Sequence, residues 1–150
     1  MSSTIARNKK AYFDYTILKE LEAGIVLTGG EVKSIKSGSI SLKESFVRVI
    51  GEELWLINAN VAKWPQDTTW NYDPTRSRKL LIGKSELEKL SLKAAQQGCT
   101  LIPLSVYTKR SLIKVKVGLA RGKKKYERKQ SVIERQSKRE MQEELKRDKL

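Results

Sequence analysis

Four stretches of this chain carry side chains suited to holding a polyanion. K-K-A-Y-F-D-Y (9–15) sets Lys9 and Lys10 beside Tyr12, Phe13 and Tyr15. R-S-R-K (76–79) brings Arg76, Arg78 and Lys79 just after Trp70 and Tyr72. K-V-K (114–116) places Lys114 and Lys116 on one side of an alternating run, and R-G-K-K-K-Y-E-R-K (121–129) is a dense basic run around Tyr126. Lysines and arginines neutralise phosphates, and aromatic rings offer faces to unstacked bases. Each patch also has a plainer reading. Phe13 and Tyr15 would share one side of a strand with Tyr12 on the other, so not all three can be ligands, and a charge run can simply be a solvated face.

Catalytic chemistry finds less support. The chain has no histidine, which removes imidazole catalysis and the usual zinc sites. A single cysteine, Cys99, forbids an internal disulfide and a cysteine-rich metal site, and suits a reducing cytosol. Cys99 itself reads as a small buried residue. Paired carboxylates occur at Glu20 and Glu22, Glu52 and Glu53, and Glu86 and Glu88, but each fits a turn or a helix start better than an acid–base pair. T-G-G-E (28–31) lacks the remaining spacing of a phosphate loop. No metal, cofactor or catalytic residue is expected.

The totals agree with a binding role. Lys and Arg number 31 against 17 acids, a formal net charge of +14. For a basic domain the commonest polyanion is nucleic acid. No apolar stretch nears the 18 or so residues of a membrane span, and the first ten residues lack the apolar core of a secretory signal, so a cytoplasmic protein without a membrane partner is expected.

The elements that must position these patches follow from periodicity. Residues 1–10 are polar and basic and read as a flexible arm. F-D-Y-T-I-L-K (13–19) reads as a strand. Thr28 and Glu31 have the spacing of a capping box, Val32 and Ile35 share a helix face, and Gly38 supplies a left-handed stop. S-F-V-R-V-I and L-W-L-I-N-A flank Gly51-Glu52-Glu53 as a hairpin. Residues 60–79 read as a long exposed loop. Ser85 and Glu88 suggest a second capping box, with Leu87, Leu90 and Ala94 on one face and Gly98 as the stop. T-L-I-P-L-S-V-Y-T-K-R (100–110) and S-L-I-K-V-K-V-G-L-A (111–120) pair as a hairpin, with an edge or bulge at Pro103. About six strands and two helices, without regular strand–helix alternation, predict a mainly β fold: a small antiparallel OB-like barrel with two or so flanking helices over 1–120.

The composition shifts after Ala120. Residues 121–150 hold 12 basic and 6 acidic side chains and only six apolar ones, Ile133 among them. The pairs Glu134–Lys138 and Glu143–Arg147 favour a helix, but its apolar stripe is too thin to hold it on the body. A tail disordered alone and helical on a partner is expected.

Five stretches carry a resemblance to one family. They are N-K-K-A-Y-F-D-Y-T-I (8–17), E-A-G-I-V-L-T-G-G-E-V-K-S-I-K-S-G (22–38), D-P-T-R-S-R-K-L-L (73–81), K-V-K-V-G-L-A-R-G-K-K (114–124) and Y-E-R-K-Q-S-V-I-E-R (126–135). Together, and in this order, they resemble small protein B, the family that binds transfer-messenger RNA (tmRNA) in bacteria. The resemblance implies an OB-like barrel and a role in trans-translation. The body would bind the tRNA-like domain of tmRNA and deliver it to stalled ribosomes, while the tail senses the empty message channel from the decoding site of the small subunit. It implies that Asn8, Phe13, Tyr15, Glu31 and Lys33 lie on the RNA-binding side, with Lys123 and Lys124 near the same surface. It implies that Gly122, Tyr126, Glu127, Arg128 and Lys129 begin the ribosome-sensing tail, which also carries Ile133. Many members have histidine where this chain has Phe13, Tyr72 or Tyr126, so stacking survives here but protonation does not. Glu31 is the odd member, an acid that could cap its helix, orient a lysine or accept from a base edge. A monomer is expected when free. The competing readings are a general OB-fold RNA chaperone or ribosome-associated protein, and an RNA-processing enzyme.

Overall fold

A computed structural model describes residues 2–96 and 98–122. Its elements are β1 (Ser2–Arg7), α1 (Lys9–Asp14), β2 (Tyr15–Ile25), α2 (Gly29–Lys36), β3 (Ile40–Ser41), β4 (Phe46–Ile50), β5 (Glu53–Ile57), β6 (Asn60–Val61), β7 (Arg78–Leu81), α3 (Lys84–Ala94), β8 (Cys99–Lys109) and β9 (Leu112–Gly122). The tail beyond Gly122, with Lys123, Lys124, Tyr126, Glu127, Arg128, Lys129 and Ile133, lies outside the described residues.

Strands dominate, and every pairing is antiparallel. The order β1-β8-β4-β5-β7-β2-β9 is joined by a further β8–β9 pairing, so six strands return on themselves. The ring is partial. β4 meets β8 only at Val47 and Leu101, and β2 meets β7 only over Gly24 and Ile25. The expected barrel is thus an antiparallel sheet curled most of the way round, with β1 added on the far side of β8.

Alternation sends one row of side chains inward. Along β9, Ile113, Val115 and Val117 are buried while Lys114 and Lys116 stay half-exposed, as the sequence pattern predicts. Leu54, Leu56, Val61, Val106 and Val115 fill the core, and Ile35 of α2 and Leu90 of α3 join it. Each such side chain contributes about 1.5–3 kcal/mol by leaving water. The β8–β9 hairpin turns on Arg110 and Ser111, at φ 52 and 66. Two left-handed residues give the turn that matches strand twist. The β4–β5 hairpin turns at Gly51, φ 63, with Ile50 opposite Glu53. Pro103 sits where the β8 register shifts, at the predicted bulge.

Three expectations are corrected. Residues 2–7 are not a loose arm. They form β1 along β8, with a bulge between Thr4 and Ala6, and Ile5 packs on the core. Residues 9–14 are helical. Asn8 caps that helix by accepting from the Ala11 amide at 3.2 Å, and this local bond overrides the β propensity of the aromatics. Helix α3 starts earlier than expected, with Gly83 as its cap and no side-chain cap bond, so Ser85 lies inside its first turn. The Thr28–Glu31 capping box is present in full, with bonds of 2.9 and 3.2 Å, and Gly38 follows α2 at φ 89.

Candidate nucleic-acid interface

Helix α1 is short but firmly seated. The Asn8 amide nitrogen donates to Pro103 O at 2.9 Å, and its backbone donates to Leu104 O at 2.8 Å. Ala11 packs with Ile102, Leu104 and Ala120, and Tyr15 and Ile17 rest against them. Asn8 therefore spends both ends of its amide on the fold. Its part is to position Lys9 and Lys10, not to present a free group.

That seating opens a cleft of about 500 Å3 lined by Thr4, Arg7, Lys9, Tyr12, Ser105 and Lys116. Three of its residues are cationic and one is an aromatic 41% exposed. Thr4, Ser105 and Lys116 continue into a second cleft, of about 400 Å3, that reaches Glu20, Glu22, Tyr107 and Lys109. Lys116 stands at the junction. Its Nζ is 3.7 Å from Glu20 and 5.9 Å from the Tyr107 ring centre. The Tyr107 hydroxyl donates to Glu22 at 2.6 Å. That bond holds the Glu22 carboxyl below its usual range, while burial and the same carboxylate push the Tyr107 phenol up.

The second assembly is internal. Glu31 is 1% exposed and Arg78 is fully buried. Arg78 Nε donates to Glu31 Oε2 at 2.6 Å, and its other nitrogens donate to Ala59 O, Arg76 O, Pro74 O and the Tyr72 hydroxyl at 2.9–3.1 Å. Arg76 Nε donates to the same carboxylate at 3.0 Å, and Arg76 Nη2 donates to Glu31 Oε1. The Tyr72 hydroxyl oxygen lies 2.9 Å from Val61 O and 3.2 Å from Glu31 Oε2, and its single proton can serve only one of them at a time. Burial pushes the Glu31 pKa up. The bonds from Arg76, the Thr28 amide and Arg78, with the charge of Arg78, overcome that and hold it at about 2.

This corrects the reading of R-S-R-K as one surface patch. Arg78 points inward and Arg76 is two-thirds covered. Glu31 orients two arginines and presents no edge to a base. Lys79 instead reaches Glu53 at 3.3 Å and lines a separate, largely apolar cleft with Leu81, Leu87 and Leu92. Lys10 and Tyr15 line a fourth, smaller hollow, and Lys33 is exposed on the last turn of α2. Phe13 lies half-buried on α1. Lys114 shares the outer face of β9 with Lys116. So the structure gathers Lys9 and Lys116, with Arg7 and Tyr12, and leaves Lys33 and Lys79 out of that cleft.

Sequence reasoning did not select Arg7, and it named Tyr12 only as one of three aromatics of which not all could be ligands. The signal was present: Asn8 before K-K-A-Y is a helix-cap pattern, and a helix there turns Tyr12 toward the flanking strands. Gly122 is paired with Tyr15 at the end of the β2–β9 ladder, so the sheet runs two residues past the expected boundary at Ala120.

Comparison with known proteins now bears on these features. The family model described as "SmpB protein" matches residues 5–147. An SsrA-binding protein of Desulfitobacterium hafniense (strain DSM 10664 / DCB-2) is 46% identical over 138 residues, covering 92% of this chain and 88% of that one. An SsrA-binding protein of Streptococcus agalactiae serotype III is 44% identical over 144 residues, covering 96% and 93%. A solved structure described as "tmRNA-SmpB: a journey to the center of the bacterial ribosome" aligns with a TM-score of 0.66 at 45% identity, over 80% of this chain and 85% of that one.

Proposed function

The chain belongs to the SmpB protein family, and from that premise we propose that it is a non-catalytic tmRNA-binding protein of trans-translation. It binds the tRNA-like domain of tmRNA and brings it to ribosomes stalled on messages without a usable stop codon. The observation that carries this reading is the extent of the family match, residues 5–147, which takes in both the body and the basic terminal segment.

The body contributes the RNA contact through the cleft of Arg7, Lys9, Tyr12 and Lys116. Cations there neutralise phosphates, and Tyr12 offers a ring edge or face between them. Lys10, Lys33, Lys114 and the accessible part of Arg76 extend the positive field, and Lys123 and Lys124, which follow Gly122 in sequence, add to its charge. Phe13 and Tyr15 shape the wall beside α1. Asn8, Glu31 and Arg78 act through position: they fix α1, α2 and the start of β7. From Tyr126 onward, Glu127, Arg128, Lys129 and Ile133 serve as the probe of the vacant message channel. Such a role needs no reaction at the protein, and places it in the cytoplasm with the ribosome. Among the described residues no helix is long and apolar enough to cross a membrane.

Labelled tmRNA, competed with transfer RNA over a salt series, tests this reading. A strong preference for the tRNA-like domain at every salt concentration is expected. Equal affinity for unrelated RNAs at matched salt would instead favour a general RNA chaperone.

A further inference from the structure

Trp70 is 85% exposed, more than any other large apolar side chain among the described residues. A ring of that size left in water forgoes several kcal/mol of burial unless something covers it. The loop around it is held on both sides. Asp67 donates its amide to Trp64 O at 2.9 Å, and its carboxylate accepts from the Thr69 amide and hydroxyl at 2.9 and 2.6 Å. On the far side, Asp73 accepts from the Thr75 amide and hydroxyl at 3.0 and 3.1 Å, and Tyr72 is pinned by its hydroxyl. These anchors stop one residue before Trp70 and two after it. Asn71, between, is left-handed at φ 52, which turns the chain at the crest.

We propose that Trp70 is a stacking platform for an unpaired nucleobase. The proposal rests on the RNA-binding reading above. The loop's base supplies the supporting charge: Arg76 is partly exposed, and Lys63 lies near enough to lower the Asp67 pKa, behind the two Thr69 bonds. An exposed aromatic on a braced loop that also carries cations is suited to hold single-stranded bases, because every base has a π face and a braced loop loses less entropy on binding. Tyr72 and Arg76 both bond Glu31 of α2, which links this crest to the buried core.

The base comes from tmRNA or from ribosomal RNA, and two arms separate the sources. In the first, the full-length chain carries 5-fluorotryptophan. Its three tryptophans give three fluorine signals, and Trp70 is identified by its loss in Trp70→Phe. The tRNA-like domain of tmRNA is then added, and its affinity is measured for wild type, Trp70→Phe, Trp70→Leu and Trp70→Ala. In the second, binding to ribosomes with an empty message channel is measured for wild type, Trp70→Phe, Trp70→Leu and Trp70→Ala. We expect Trp70→Ala to weaken one arm by about five- to a hundred-fold, with an unchanged salt slope. Phe should retain most of the affinity and Leu should not. If tmRNA is the source, the Trp70 signal shifts in the first arm; if ribosomal RNA is, only the second arm responds. Leu restoring binding as well as Phe would reveal an apolar protein pocket and overturn the proposal. So would Trp70→Ala leaving both arms unchanged. Should wild type show no preference for tmRNA over transfer RNA, the functional reading fails, while a Phe-rescued loss on ribosomes would still uphold stacking.

Discussion

Arg78 Nε lies 2.6 Å from Glu31 Oε2, and neither side chain has meaningful contact with solvent. The pair bridges α2 to β7, 47 residues apart in sequence. All the described buried polar side-chain atoms have partners, so the charges are well enclosed. Removing one partner strands the other. Glu31→Gln is expected to lose about 3–5 kcal/mol of stability, because Arg78 is left charged and uncompensated. Replacing both, as Glu31→Leu with Arg78→Met, should recover much of that. Denaturant titration of the three proteins checks the order.

The same carboxylate sets an acid limit. Its pKa is about 2 in the fold, against 4.5 unperturbed. A depressed carboxylate contributes stability that is complete above the unfolded value and is lost as pH falls through the folded one. The urea midpoint should therefore fall between about pH 4.5 and 2, more steeply than exposed acids alone would give.

Lys9 and Lys116 share the cleft beside α1. If each meets a phosphate, Lys9→Ala and Lys116→Ala will each weaken RNA binding and reduce the slope of log affinity against log salt by roughly one. Lys79→Ala, on a different cleft, should leave the slope unchanged. Filter binding across a salt series measures both. An unchanged slope for Lys9 and Lys116 would move the interface elsewhere.

Truncation after Gly122 should spare most tmRNA binding and abolish alanine tagging on stalled ribosomes, and Tyr126→Ala should do the same. Tagging that proceeds normally in the truncated protein would defeat the assignment of the tail. Cutting after Ala120 instead removes the partners of Tyr15 and Thr16 and should also weaken the body.

Gly118 is enclosed. A Cβ there would lie 2.8 Å from Leu104 Cδ1, inside a side chain that is itself fully buried. Gly118→Ala should cost about 1–3 kcal/mol through overpacking, visible as a lowered Tm.

Where a pattern is local, the chain announces its structure. Thr28 and Glu31 specify their helix start because both bonds close within four residues. Lys114 and Lys116 face out because Ile113, Val115 and Val117 must face in. What is distant is hidden. Nothing in R-S-R-K says that its second arginine is internal, since its partner is 47 residues away. Tyr12 and Phe13 have strand propensities, and the helix that prevails there rests on the local Asn8 cap together with the reach of Asn8 to Pro103, 95 residues on, which the sequence does not show. The site was legible as a composition, cations beside aromatics, but not as a place. Which cations meet is decided by β1 lying along β8, and residues 1–10 carry too few apolar side chains to reveal that pairing.

The pairing of Tyr15 with Gly122 fixes a geometry of its own. It puts Gly122, the last described residue of β9, directly beside the end of α1, the helix that carries Lys9 and Lys10. The cleft and the root of the tail are then two marks on one rigid gauge. If RNA settles in the cleft as proposed, its place is fixed relative to Gly122, from which the rest of the chain follows.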